Sequence, residues 1–132
     1  MERHEGGCLC GAVRYEVRGN LRGVVYCHCS QCRRQSGHCY AATEVDDDCF
    51  SMSGGEQVRW FAASEHARRG FCATCGSALF WKDLRSPTTS VMAGGFDLPS
   101  GLEAVGHIFV ADKGDYYEIT DGLPQSSGAG DG

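Results

Sequence analysis

Proline is scarce in this chain, with three residues in 132, and no apolar run approaches the roughly 20 residues needed to cross a bilayer as a helix. The opening residues Met1-Glu2-Arg3-His4-Glu5-Gly6-Gly7 contain no apolar core of a secretory signal. Positive charge is also short: 12 Lys and Arg stand against 17 Asp and Glu, for a formal net charge of -5. An acidic chain does not attract phosphate backbones in bulk, so a nucleic-acid partner is not expected. The two basic pairs, Arg33-Arg34 and Arg68-Arg69, read as solvated surface. No membrane partner is expected either, and the simplest placement is the cytoplasm. Oligomeric state is not legible.

Glycine and cysteine are plentiful, with 19 and 9 residues. Abundant glycine with little proline suits short strands joined by tight turns. Alternating or apolar segments at 12–17, 24–26, 40–43, 50–52, 58–61, 70–71, 78–81, 90–93, 106–110 and 116–119 read as strands. Ser53-Gly54-Gly55, Gly94-Gly95, Pro99-Ser100-Gly101 and Lys113-Gly114-Asp115 punctuate them. Only 30–36 reads as a short helix, and 46–48 reads as a turn. The expectation is a mainly β fold with little helix, forming one domain over 1–125 and followed by a disordered polar tail over 126–132.

Seven of the cysteines fall into three clusters: Cys8-Leu9-Cys10, Cys27-His28-Cys29-Ser30-Gln31-Cys32 and Cys72-Ala73-Thr74-Cys75. In a reducing compartment such clusters bind metal or do redox chemistry rather than form a disulfide framework. A Cys-x-x-Cys turn sets two sulfurs on one side of a knuckle, and Gly76 supplies the left-handed residue that the knuckle needs. Cys72 and Cys75, joined by Cys8 and Cys10 from alternate positions of a strand, give one closed tetrahedral site.

Cys27, Cys29 and Cys32 then form a second site with one position open, the pattern of catalytic zinc. His28, between two ligands on an extended segment, is expected to point the other way. Cys39 is an outside candidate for the fourth position, and Cys49 stands alone. The expectation is two zinc ions per chain, although four cysteines can also hold iron.

Gly7-Cys8-Leu9-Cys10-Gly11-Ala12-Val13-Arg14-Tyr15, Cys27-His28-Cys29-Ser30-Gln31-Cys32-Arg33 and Phe71-Cys72-Ala73-Thr74-Cys75-Gly76-Ser77 resemble the glutathione-dependent formaldehyde-activating enzyme family, whose domain is shared with centromere protein V. Ala93-Gly94-Gly95-Phe96-Asp97 and His107-Ile108-Phe109-Val110 resemble it too. The resemblance implies a β-tent of small antiparallel sheets. It implies a structural zinc on Cys8, Cys10, Cys72 and Cys75, and a second zinc on Cys27, Cys29 and Cys32. It also implies a carbon-sulfur lyase that joins formaldehyde to glutathione as S-hydroxymethylglutathione.

A three-thiolate zinc is a weak Lewis acid that still binds a fourth thiolate, which fits addition of a thiol to a small electrophile. Arg33, Arg34 and Gln35 are candidate donors to the carboxylates of glutathione, and His38 is a candidate proton shuttle. Trp60, Phe61 and Phe96 are candidates to line a pocket or, equally, the core. Two other readings stand beside the lyase. One is a non-catalytic zinc module that binds protein. The other is a thiol or zinc sensor built on the 27–32 cluster.

Overall fold

The computed structural model describes residues 2–129. Among these residues ten strands form two sheets, and one α-helix accompanies them. Strands β1 (Arg3–Gly7), β2 (Arg14–Arg18) and β5 (Phe50–Ser53) make a three-stranded antiparallel sheet in the order β1-β2-β5.

The larger sheet contains β3 (Val24–Cys27), β4 (Tyr40–Asp46), β6 (Val58–Ala62), β7 (Ala67–Cys72), β8 (Ala78–Asp83), β9 (Thr88–Met92) and β10 (Ala104–Ile108), in the order β10-β3-β4-β9-β8-β7-β6. All its pairs are antiparallel except β10 with β3. The fold is mainly β, as the turn-rich sequence leads one to expect. Among the described residues no helix is long and apolar enough to cross a membrane.

The only α-helix among the described residues is α1 (Ser30–Ser36), as the sequence predicts. The Cys29 sulfur accepts from the Cys32 N-H at its start, and Gly37 ends it in the left-handed region at φ 82°. Three differences from the sequence reading stand out. β1 lies where no strand is expected, in a polar and glycine-rich stretch that pairs with all of β2. The 46–48 turn is a single 3-10 turn over Asp47–Cys49.

The third difference is at Tyr116-Tyr117-Glu118-Ile119, which is not a strand. β10 already pairs with β3, and its other side meets only an isolated bridge from His107 to Gln125. The tyrosines pack instead against histidines, His38 with Tyr116 and His28 with Tyr117.

The core sits between the two sheets. Tyr15 and Val17 from the small sheet, with Val13 just ahead of β2, meet Val45, Leu79, Phe80 and Val91 from the large one, all buried. Phe80 is fully buried, with the rings of Tyr15 and Phe50 set edge-on at 5.6 and 5.4 Å. Phe96 belongs to this core, 5.4 Å from Tyr15. Trp60 stacks on Phe80 while remaining half exposed, and Phe61 is exposed.

Close packing explains Gly6: a side chain there would meet the Gly95 carbonyl oxygen at 2.4 Å. The stretch from Ser126 is hydrogen-bonded rather than loose over its first residues. Val110 N-H donates to Ser126 O, Phe109 N-H to Gly128 O, and Ser126 N-H to His107 O. Residues 130–132 of the expected tail lie outside the described residues.

Candidate metal centres

The first cysteine group joins two turns. Cys8 and Cys10 follow β1 in a turn, closed by Gly11 N-H to Cys8 O, rather than on a strand. Their sulfurs converge because the turn curls, not because alternate strand positions share a face. Cys72 ends β7, and Gly76 N-H closes the knuckle onto Cys72 O with Gly76 at φ 79°. All four sulfurs lie within 4.8 Å of one another. Cys8 to Cys10 is 3.6 Å and Cys10 to Cys72 is 3.8 Å. Sulfurs set tetrahedrally about 2.3 Å from a metal are about 3.8 Å apart, so the donor set fits zinc in both type and spacing.

Neighbouring donors favour the thiolate at Cys8 and Cys75. Val13 N-H donates to the Cys8 sulfur at 3.3 Å. Ser77 accepts from Leu9 N-H at 3.0 Å and lies 3.1 Å from the Cys75 sulfur. The Ser77 hydroxyl and N-H, with the Cys10 backbone, bring Cys75 down to about 5.

The second group is Cys27 at the end of β3, Cys29 capping α1, and Cys32 in the first turn of α1, again with all sulfurs within 4.8 Å. Either group can hold a metal ion. The second group has three protein donors. Neither His28 nor Cys39 joins it.

His28 is buried at 2% exposure with both ring nitrogens engaged elsewhere. Nδ1 is 2.9 Å from the Tyr117 hydroxyl, and Nε2 is 2.9 Å from His107 Nδ1. His107 Nε2 is 2.8 Å from Asp121 Oδ2. The Leu123 N-H and His107 hold the Asp121 carboxyl below its ordinary range, so Asp121 is an acceptor only. With both imidazoles neutral, His107 donates to Asp121, His28 donates to His107, and Tyr117 donates to His28. This one-way chain ties the 27–32 loop to the C-terminal segment. The sequence reading missed it, since Tyr117, His107 and Asp121 lie far from the motif and His107 and Tyr117 read only as parts of strands.

Arg69 is the larger surprise. Its pair with Arg68 reads as solvated surface, yet Arg69 is only 4% exposed. Its Nη2 donates to the Cys32 sulfur at 3.4 Å, and its Nη1 to Gln35 Oε1 at 3.1 Å. The Cys27 thiol, joined by the Arg69 guanidinium and against the opposing effect of burial, brings Cys32 down to about 6, and Cys27 is pushed up in turn by Cys32 and by burial.

Above this group lies a cavity of about 390 Å³, lined by Cys27, Cys29, Cys32, Tyr40, Arg69 and Trp81 among others. An outer groove of about 580 Å³ shares Gln31 and Arg69 with it and adds Arg34, Gln35 and Phe61. Arg33 is turned away, its Nε on the Asp112 carbonyl at 3.4 Å. His38 does not line the cavity; its Nδ1 is 2.5 Å from the Tyr116 hydroxyl. Of the three aromatic candidates, only Phe61 lines a groove next to the site.

Comparison with known proteins bears on what these centres serve. The family model described as glutathione-dependent formaldehyde-activating enzyme matches residues 3–112, which include both cysteine groups. The chain belongs to this family. Within it, a protein of Halomonas elongata named "Putative glutathione-dependent formaldehyde-activating enzyme" is 33% identical over 128 residues, covering 87% of this chain and 80% of that protein. An uncharacterized lyase of Schizosaccharomyces pombe is 32% identical over 81 residues, which are 61% of this chain and 58% of that one. The crystal structure of a Rhodobacter sphaeroides protein shares the fold, with a TM-score of 0.61 at 21% identity, covering 92% of this chain and 98% of that one. For a formaldehyde-activating-family chain, a closed four-cysteine group and an open three-cysteine group are thus two parts of one domain-wide match.

Proposed function

We propose that this chain is a zinc-dependent carbon-sulfur lyase acting on a small thiol adduct, that of glutathione with formaldehyde or a related aldehyde. The observation that carries the reading is the three-cysteine group: no donor among the described residues fills its fourth position, and it opens on a cavity. Cys8, Cys10, Cys72 and Cys75 would hold a structural zinc, and Cys27, Cys29 and Cys32 the second. A zinc ion bound there supplies a fourth position for a thiolate, which lowers the thiol's pKa and fixes its sulfur.

The protein's own groups do the rest. Arg69 balances the thiolate charge at Cys32 from 3.4 Å. The hydrogen-bonded chain from Tyr117 to Asp121 holds the Cys27-His28-Cys29 backbone, so the sulfurs need no reorganisation when a ligand arrives. Val25, Trp81, Ile108 and Phe109 on the cavity wall keep bulk water from the reacting atoms.

A glutathione thiol in the inner cavity leaves its peptide along the outer groove, where Arg34 is the cation available to a carboxylate. In the addition the sulfur-carbon bond forms, the carbonyl π pair moves to oxygen, and the proton lost by the thiol ends on that oxygen. The lyase direction reverses each step. Reduced cysteines in this number also suit a reducing compartment, and the reading places the protein in the cytoplasm.

Zinc content per chain, followed by calorimetric titration with glutathione, tests the reading. Two zinc ions, with glutathione binding lost in Cys29→Ser, support it. One zinc and no thiol binding sink it.

A further inference from the structure

The cavity over the three-cysteine group holds two buried donors that sulfur binding does not use. Arg69 and Tyr40 both line it, at 4% and 3% exposure. The Arg69 guanidinium lies over the Tyr40 ring, 5.5 Å from its centroid. Its two Nη groups are fixed: Nη1 on Gln35, and Nη2 between the Cys32 sulfur at 3.4 Å and Gln31 Oε1 at 3.5 Å. The fork is thereby held in one orientation. Its remaining donor, Nε, has no partner, and neither does the Tyr40 hydroxyl.

An unmet buried donor is destabilising, and such groups are few in native proteins. Two of them on the wall of one cavity, beside a nucleophile-binding cluster, mark a place for an acceptor. The sulfurs leave both unmet: Arg69 reaches Cys32 through Nη2, not Nε. A guanidinium N-H and a phenol O-H both suit an oxygen that gains charge during reaction.

We propose that Arg69 Nε and the Tyr40 hydroxyl form the oxygen-binding half of this site, donating to the aldehyde oxygen or to the hydroxyl of the thiol adduct while the cysteine cluster holds the sulfur. The proposal rests on the thiol-adduct reading and adds to it the residues that select for the oxygen. During addition the oxygen gains the carbonyl π pair while held by both donors, and takes up the proton released by the thiol. Tyr40 and Arg69 remain protonated before and after. The preferred ligand is then a thiol with an oxygen near its sulfur, ahead of a plain alkyl thiol.

Two small thiols serve as probes on the zinc-loaded protein: 2-mercaptoethanol, which carries a hydroxyl, and ethanethiol, which does not. Calorimetry on the wild type, Tyr40→Phe and Arg69→Lys reads the ratio of their affinities. Comparing proteins rather than thiols cancels the thiols' own difference in acidity. The wild type is expected to favour 2-mercaptoethanol by about tenfold more than either variant does, one net hydrogen bond's worth.

Tyr40→Phe keeps the ring packing, so its zinc content, circular dichroism and ethanethiol affinity should match the wild type. Arg69→Lys keeps the charge and lacks the planar fork. The same ratio in wild type and both variants overturns the proposal and leaves thiol binding intact. If neither thiol binds the wild type, the thiol-adduct reading fails and the oxygen site fails with it.

Discussion

The two cysteine groups use one ligand type and differ in how the chain delivers it. Cys10 and Cys72, 62 positions apart, meet at 3.8 Å, so the first group ties two distant turns and touches both sheets through Cys8 and Cys72 in the core. The second comes from one short stretch, Cys27 to Cys32, and reports only on that loop and what packs against it. Cross-linking across a long loop constrains the unfolded chain most, whereas a local cluster constrains it little. The first group is therefore placed to stabilise. The second is placed to be reached, three donors beneath a cavity.

The largest effect expected from breaking this contrast is at Cys72, which is fully buried. Cys72→Ser should abolish cooperative folding, because the metal binding energy of a structural site is folding energy. A far-ultraviolet melting curve like that of the wild type would show that the first group does not staple the fold. Phe80→Ala tests whether the interior between the sheets matters as much as the cross-link. A fully buried aromatic lost from such a core costs about 3–5 kcal/mol, measured by urea denaturation, with zinc content unchanged.

His107→Ala leaves His28 with one partner in place of two, and should cost about 1–3 kcal/mol by the same measurement. It should also weaken zinc at the 27–32 group against a competing chelator while leaving the first group's zinc in place. Cys29→Ser should leave stability nearly unchanged and remove one zinc, read by elemental analysis. Collapse of that variant would erase the distinction between the two groups.

The smallest effect is the pH dependence of the Asp121 anchor. The folded carboxyl titrates below its ordinary value, so its contribution is complete above the ordinary carboxylate range near 4 and is lost as pH falls through the lower, folded value. Asp121→Asn should flatten the acid limb of denaturation midpoints plotted against pH.

Much of the candidate chemistry is readable in the residues because it is local. Cys-x-x-Cys with a following glycine is a knuckle wherever it occurs, and Gly76 is left-handed as that requires. The helix over 30–36 follows from a run without glycine or proline that Gly37 ends. The pairing of Cys8 and Cys10 with Cys72 and Cys75 followed from counting ligands, although the geometry behind it is a turn rather than a strand.

What was not readable depends on which face meets which. Arg68 and Arg69 look alike in sequence. β7 pairs on one side with β6 and on the other with β8, and its Arg69 packs against α1 and the cysteine loop. Tyr116 and Tyr117 alternate like a strand, but the neighbouring sheet edge takes only the bridge to Gln125, so their rings go to His38 and His28.

The sequence by itself determined the candidate donor type, the division into groups of four sulfurs and three, and the mainly β character, since spacing, turn chemistry and alternation act over a few residues. Only the tertiary structure decided that Arg69, Tyr40 and the Tyr117-His28-His107-Asp121 chain gather around the second group. Those contacts join strands and loops as far apart as His28 and Tyr117, and nothing local in a chain specifies which of its distant polar groups will be buried together.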